Sequence, residues 1–260
     1  MAHSSLAPAL TPAVRAGVRL LIDPPAAARG VLVAYSDRFG GISTPPFDSL
    51  NLGSRVGDER ARVAHNRGLV SRAGGWVQGA VVMSRQVHGS DVLQAPRGAT
   101  GMIGDGDGLV ARAPGPVLSI LTADCAAVAL AGGGGVALVH AGWRGLVAGV
   151  VERGAEMVAP LWGAWIGPCI RACCYRVGPE VIGAFERRGL PTRPGRVDIA
   201  EAARVAVRRA GAPAVALAQE CTACAGRYFS HRKEGVTGRQ GAFAALLRSP
   251  DEIAEDGAPA

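Results

Sequence analysis

The sequence predicts an α+β domain built in layers rather than a regular series of βαβ units. Two observations carry this. Short apolar runs, separated by glycines or turn residues, fill the middle of the chain and read as strands. Helical patterns collect in the second half. The 260 residues, 48% of them hydrophobic, suffice for one large core, and no apolar run approaches a membrane span.

In chain order, residues 1–28 are rich in Ala and Pro and are expected to form a flexible tail. Arg15 and Arg19 interrupt them, so they lack the pattern of a signal peptide. A single catalytic domain is expected over 29–248. "GVLVAYSD" is its first strand. "RFGGISTPPFDSLNLG" reads as a long ordered loop, anchored by Phe47, Leu50 and Leu52. Asp58 is placed to cap a helix reaching about Ala73, with Val63, Leu69 and Val70 on one face. Strands follow at "AVVMS", "DGLVA", "PVLSIL", "AVALA" and "GVALV". "LVAGVVERGAEMVA" and "PEVIGAFERRG" read as helices on either side of an extended "AWIG". "IAEAARVAVRRAG" is a helix behind Asp198, and a second "AVALA" is extended. Residues 249–260 again look like a flexible tail.

The formal charge is +7, and Lys233 is the only lysine, so the positive charge is almost all arginine. Arginine offers a planar fork of donors suited to phosphate. The arginines are scattered and aromatics few, which argues against nucleic acid. Cys125, Cys169, Cys173, Cys174, Cys221 and Cys224 all lie beyond residue 124, two of them adjacent. That is a poor disulfide framework for a chain this long and points to a reduced, cytoplasmic protein.

His88, Cys125 and His140 each follow an apolar strand-like run. Singly, a thiol or imidazole there reads as a packed or hydrogen-bonded structural residue. Their shared position at strand ends lets them converge at one edge, if their strands lie in one sheet. Two imidazoles and a thiolate suit zinc or copper, and three protein ligands leave a position open. Asp124 is a general base, an acceptor orienting a ligand histidine, or a turn cap. Arg144, at a helix start after "HAGW", suits an anion or a surface ion pair. Trp143 is expected to pack under the turn, with stacking on a base as the alternative. Arg85 and Arg38 are further anion-binding candidates. Ser230, His231 and Arg232 lie on a loop able to close over a pocket. "CTAC", residues 221–224, has the spacing of a redox motif or half a zinc site. With no second CxxC, it reads as structural or peripheral.

The motifs "GGISTPPFDSLNLG", "RQVHGSDV", "LTADCAAVAL", "VALVHAGWRGLVAGV", "CCYRVGPEV" and "CTACAGRYFSHR" occur in this order. The series resembles the YfiH-type family, also called the multicopper polyphenol oxidase or laccase-domain family and the peptidoglycan editing factors. The resemblance runs from Val31 to Leu247. It implies an α/β/β/α sandwich like that of cytotoxic necrotising factor and the chemotaxis deamidase CheD. It implies a metal, zinc or alternatively copper, on His88, Cys125 and His140. Members are described as purine nucleoside phosphorylases acting on adenosine, inosine and methylthioadenosine, some with adenosine deaminase activity. Others are described as laccase-like phenol oxidases or as editing peptidoglycan precursors. For this chain the expected partners are a purine nucleoside and phosphate, without nucleic acid or membrane, in a monomer or weak homodimer. Asp124, Cys125 and Arg144 are the expected catalytic residues. Arg38, Arg85, Arg144, Ser230 and Arg232 are the expected substrate contacts, with Asp124 as proton shuttle in any deamination. The fold analogy also allows a metal-free Cys–His hydrolase using Cys125 and His140. Five histidines, one of them His3 in the expected tail, argue against a true multicopper centre. Three departures from the family pattern are Ala126 and Ala127 where a proline is usual, Arg176 for an acidic residue, and His231 for a tyrosine.

Overall fold

The computed structural model describes residues 7–248. It opens with a hairpin, β1 (Thr11–Arg15) and β2 (Val18–Ile22), a short helix α1 (Pro24–Ala28) and strand β3 (Val31–Ser36). After a long loop come α2 (Arg60–Gly74), β4 (Val81–Arg85), β5 (Val92–Gln94), β6 (Gly101–Asp105), β7 (Gly108–Ala111) and β8 (Val117–Thr122). Next are β9 (Ala126–Gly132) and β10 (Gly135–Ala141), then α3 (Trp143–Ala148), α4 (Val150–Glu156) and β11 (Leu161–Ile166). The chain continues through α5 (Pro179–Arg187), the small hairpin β12 (Thr192–Arg193) and β13 (Arg196–Val197), and α6 (Ile199–Arg209). It ends with β14 (Val215–Leu217), the short α7 (His231–Glu234) and β15 (Gln240–Leu246).

Two sheets pack face to face. One has the order β1-β2-β3-β15-β8-β4-β6 and the other β14-β11-β9-β10-β7-β5. Three apolar clusters mark the three interfaces of an α/β/β/α sandwich. One joins α2 to the first sheet through Val70, Leu50, Leu52 and Phe243. A second fills the space between the sheets with Leu118, Ile120, Leu138 and Trp165. The third joins α3–α6 to the second sheet through Leu130, Val139, Val151, Phe185 and Val207. Strands β9 and β10 are buried on both faces, which is why their sequences are continuous apolar runs rather than alternating ones. Among the described residues, no helix is long and apolar enough to cross a membrane.

The expected N-terminal tail is ordered over much of its length. Residues 11–22 form the edge hairpin of the first sheet. It docks through the β2–β3 ladder and the burial of Val18, Leu20 and Leu21, and Asp23 adds a tie to the second sheet. This buried carboxylate caps α1 by accepting from Ala26 N at 2.9 Å, and it accepts from the indole Nε1 of Trp165 in the second sheet at 2.6 Å. Arg19, which interrupts the apolar pattern, lies on that hairpin 3.6 Å from Asp37. Residues 1–6 and the expected tail at 249–260 lie outside the described residues.

Two local expectations also change. The helix expected over 146–159 breaks into α3 and α4 at Gly149, whose φ of +83° is left-handed. Asp58 does not cap α2 with its side chain; Glu59 holds the cap position. Asp58 instead accepts from Ser43 Oγ and Asn51 Nδ2 and braces the long loop, whose Leu50 and Leu52 are fully buried as expected. Asp198 does cap α6, accepting from Glu201 N at 3.1 Å.

Candidate metal centre

His88, Cys125 and His140 meet, but not along the edge of one sheet. His88 follows β4, in the first sheet, and His140 lies in β10, in the second. Cys125 sits in the turn where the chain crosses from β8 to β9, and so from one sheet to the other. The three converge at one end of the sandwich because both sheets end there. Their ligand atoms all lie within 4.8 Å of one another. His140 is buried, Cys125 half-buried and His88 exposed.

A residue the sequence reading passed over organises the group. Asp107 is fully buried at the start of β7. Its Oδ1 lies 2.8 Å from His140 Nδ1 and accepts from His88 N at 3.0 Å. Its Oδ2 accepts from Gly89 N at 2.7 Å and Val87 N at 3.0 Å. Its carbonyl accepts from His140 N at 2.6 Å. With Nδ1 committed to the carboxylate, His140 has Nε2 free for a ligand bond. The backbone bonds hold the loop that carries His88, whose own φ is +61°, a left-handed conformation uncommon outside glycine. A carboxylate in "GDGDGLVA" resembles a turn residue. The only signal available was its place at the head of a strand-like run.

Charge in the group is shared. Burial pushes the Cys125 thiol up, but the His140 and His88 imidazoles outweigh burial and bring it down to about 6. Burial pushes the His140 imidazole down, but the Cys125 sulfur and Asp107 outweigh burial and raise it to about 9. Burial likewise opposes ionisation of Asp107, yet His140 and the backbone amides hold its carboxyl below the usual range. Gly142 completes the arrangement. A Cβ there would stand 2.9 Å from Cys125 Sγ and 3.5 Å from His88 Cδ2, so only glycine leaves the sulfur and imidazole room. This explains the glycine in "HAGW".

The group lines a cavity of about 500 Å3, within the roughly 300–1,000 Å3 usual for small-molecule sites. Arg55, Arg67, Arg85, Arg144, Arg232 and Arg239 line it, against one carboxylate, Asp124. Burial lowers the proton affinity of Arg67 and Arg239. Of the expected anion contacts, Arg144 and Arg232 lie in this wall. Arg144 stacks 4.4 Å above the Trp143 ring, and α3 is too short for its amide end to add much. Arg232 stacks 4.7 Å above the Tyr175 ring. Arg85 is at the cavity edge, exposed and paired with Asp105. Arg38 is not in the wall. Its guanidinium is engaged by Asp48 O at 2.8 Å and Glu234 Oε1 at 2.6 Å, because it ties the long loop to α7. Ser230 is buried outside the cavity and caps α7 by accepting from Lys233 N.

Asp124 has a left-handed φ of +96°. Both of its oxygens are occupied, Oδ1 accepting from Thr222 Oγ1 at 2.6 Å and Oδ2 from Arg232 N at 2.7 Å. This places it as a brace between the Cys125 turn, the "CTAC" segment and the loop carrying Arg232. Sequence reading named Arg144 and Arg232 but missed Arg55, Arg67 and Arg239. Arg239 stands between Gly238 and Gln240, immediately before β15.

Residues 32–247 match the family described as multi-copper polyphenol oxidoreductase laccase. The chain belongs to this family. Its relatives include the protein named purine nucleoside phosphorylase YfiH of Escherichia coli K12, 35% identical over 233 residues, covering 84% of this chain and 95% of that one. Another is the purine nucleoside phosphorylase ORF3 of Streptomyces griseus, 37% identical over 222 residues, covering 79% and 90%. The crystal structure of YlmD from Geobacillus stearothermophilus superposes with a TM-score of 0.80 at 32% identity, covering 88% of this chain and 96% of that chain. The departures from the YfiH-type pattern include neighbours of the converging side chains: Ala126 follows Cys125 directly, Ala127 pairs with His140 across β9 and β10, and His231 lines the same cavity. Ala126 and Ala127 are buried in β9. Arg176 is exposed, and its carbonyl accepts from Arg232 Nη1. The His231 ring closes α7 through Nδ1, 2.7 Å from Gly235 O.

Proposed function

We propose that the protein is a metal-dependent purine nucleoside phosphorylase that converts a purine nucleoside and phosphate into free base and ribose-1-phosphate. One observation carries the reading: a three-donor metal-ligand group stands in the wall of a cavity lined by arginines. The names of the 34–37% identical relatives point the same way.

His88, Cys125 and His140 would hold the ion. The donor set suits zinc, Asp107 fixes one imidazole, and Gly142 leaves the sulfur clear. When bound, a zinc-type ion supplies Lewis acidity with a position open for a small ligand. The chain's own residues do the rest. Arg144, Arg232 and Arg239 hold phosphate by bidentate, charge-assisted bonds and aim one oxygen at the ribose C1′. As the C1′–N bond breaks, its electron pair leaves with the purine and a C1′–O bond forms. The purine nitrogen then takes up the proton that the attacking hydrogen phosphate gives up as it becomes the ribose-1-phosphate ester. The guanidinium wall stabilises the charges of a loose transition state. Tyr175 and Trp143 provide apolar surface for the base. The six cysteines are free thiols, consistent with action in the cytoplasm.

The test is chromatographic product analysis with adenosine after the zinc and copper content has been measured. Adenine and ribose-1-phosphate are expected only when phosphate is present, and chelation is expected to stop both. Inosine alone would replace phosphorolysis with deamination. No product from folded, metal-loaded protein would overturn the reading. A specific observation favours one rival: Cys125, His140 and Asp107 form a nucleophile–base–acceptor series. A metal-free Cys–His hydrolase would gain activity on chelation, and iodoacetamide would abolish it.

A further inference from the structure

The "CTAC" segment does have a partner. Cys173 and Cys174, an adjacent pair with no CxxC spacing, lie against Cys221 and Cys224, and all four Sγ atoms are within 4.8 Å of one another. All four are free thiols. Cys173 Sγ and Cys224 Sγ are 3.8 Å apart. Four sulfurs bound at 2.3 Å around a tetrahedral zinc-type ion stand about 3.8 Å apart. A disulfide would bring one pair to about 2.05 Å. An iron–sulfur cluster, which cysteines also hold, would need several metal atoms between the sulfurs and more room.

From this geometry we infer that Cys173, Cys174, Cys221 and Cys224 form a second metal site, a closed tetrathiolate for one zinc-type divalent ion.

The surroundings are shaped for thiolate ligands. Arg171 N donates to Cys221 Sγ at 3.4 Å, and the amides of Ala223 and Cys224 point at the same sulfur. That is how a CxxC turn presents its first cysteine to a metal. The Cys173–Cys174 turn is closed by Arg171 O, which accepts from Cys174 N and Tyr175 N. Arg196 Nη1 braces it by donating to Ala172 O at 2.8 Å and Cys173 O at 2.6 Å. Each thiol releases its proton to solvent on coordination. The ion cancels two of the four negative charges, and the guanidinium of Arg196 stands beside the turn. Four protein ligands leave no open position, so the ion is structural. It staples the segment bearing Ile170 and Tyr175 to the one leading to Arg232, both of which reach the cavity. Cys169 lies alongside as a buried thiol outside the four.

This inference does not depend on phosphorolysis, and its test reads metal rather than turnover. The full-length double variant His88→Ala/His140→Ala removes the first centre. After chelation under reductant, it is titrated with Co2+. One equivalent is expected to bind, with the intense sulfur-to-cobalt absorption and tetrahedral ligand-field bands of a tetrathiolate, and Zn2+ is expected to displace it. Adding Cys173→Ser and Cys224→Ser should abolish these bands. The unaltered protein should hold two equivalents. Should the serine variant fail to fold, the histidine variant decides alone. Absence of thiolate–cobalt bands there, with the four thiols freely titratable, would overturn the site. So would a Cys173–Cys224 disulfide, two mass units lighter, in protein that binds no metal.

Discussion

The His88–Cys125–His140 group and the four-cysteine cluster are assembled in opposite ways. The first draws its donors from the ends of two sheets, fixes them through a fully buried carboxylate, and opens on an arginine-lined cavity. The second draws its donors from two loops, fixes them through backbone amides and carbonyls, and lines no part of that cavity. Three donors on a rigid frame leave room for a reaction. Four donors on loops would use an ion to make the frame. The contrast teaches that ligand number and scaffold, more than ligand chemistry, separate a working site from a structural one.

The sharpest break in the comparison is His140→Ala. It should lower kcat/KM for phosphorolysis by about 10²–10³-fold, the scale of losing a preorganised electrostatic element, while leaving cobalt absorption at the cysteines intact. Steady-state kinetics and metal analysis on one sample check both halves, and unchanged turnover would remove His140 from the reaction. Next is Asp107→Asn, which replaces an acceptor of four hydrogen bonds by a half-donor. Its metal affinity at the first centre should drop roughly 10–100-fold, measured by competition with a chromophoric chelator. Alkylation separates the thiols. In chelated protein the Cys125 thiolate forms above about pH 6, so its iodoacetamide rate should rise about tenfold between pH 5 and 7 and then level off. Ordinary thiols keep accelerating toward pH 9. Zinc should protect Cys125, and a rate still climbing above pH 8 would contradict the His140 pairing. Gly142→Ala pushes a Cβ against Cys125 Sγ and should cost about 1–3 kcal/mol of stability, read by denaturant melts, with weaker metal binding. The smallest effect is expected from Thr222→Val, which cuts the hydrogen bond joining the "CTAC" segment to Asp124. It should cost about 0.5–1.5 kcal/mol as Asp124 Oδ1 exchanges its partner for water from the cavity, without altering metal stoichiometry.

Much of this was legible in the chain itself. β3, β8, β9 and β10 announce themselves because burial on both faces demands unbroken apolar runs. His88, Cys125 and His140 stand out because chemically distinctive side chains follow such runs. The β1–β2 hairpin was hidden, since Ala, Pro and Arg around it mask the short apolar run Val18–Ile22, and its docking rests on long-range partners: the β3 ladder and the bond from Trp165 to Asp23. Asp107 was hidden because a lone carboxylate beside glycines looks like a turn. The four-cysteine cluster was hidden because its halves, 51 residues apart from Cys173 to Cys224, meet only through tertiary structure. Which of the arginines face the cavity was likewise invisible, because guanidiniums such as that of Arg38 can be spent on neighbouring loops instead.

Strand β15 lies between β3 and β8 in the middle of the first sheet, not at its edge. On the ribosome, therefore, β3 and β8 emerge long before the strand that joins them, and each waits with an open edge able to pair with the wrong neighbour. Arg239 leads directly into that same late strand. The nascent chain completes its arginine-lined wall in the act of closing its sheet, so a partly synthesised copy has neither a finished fold nor a finished pocket.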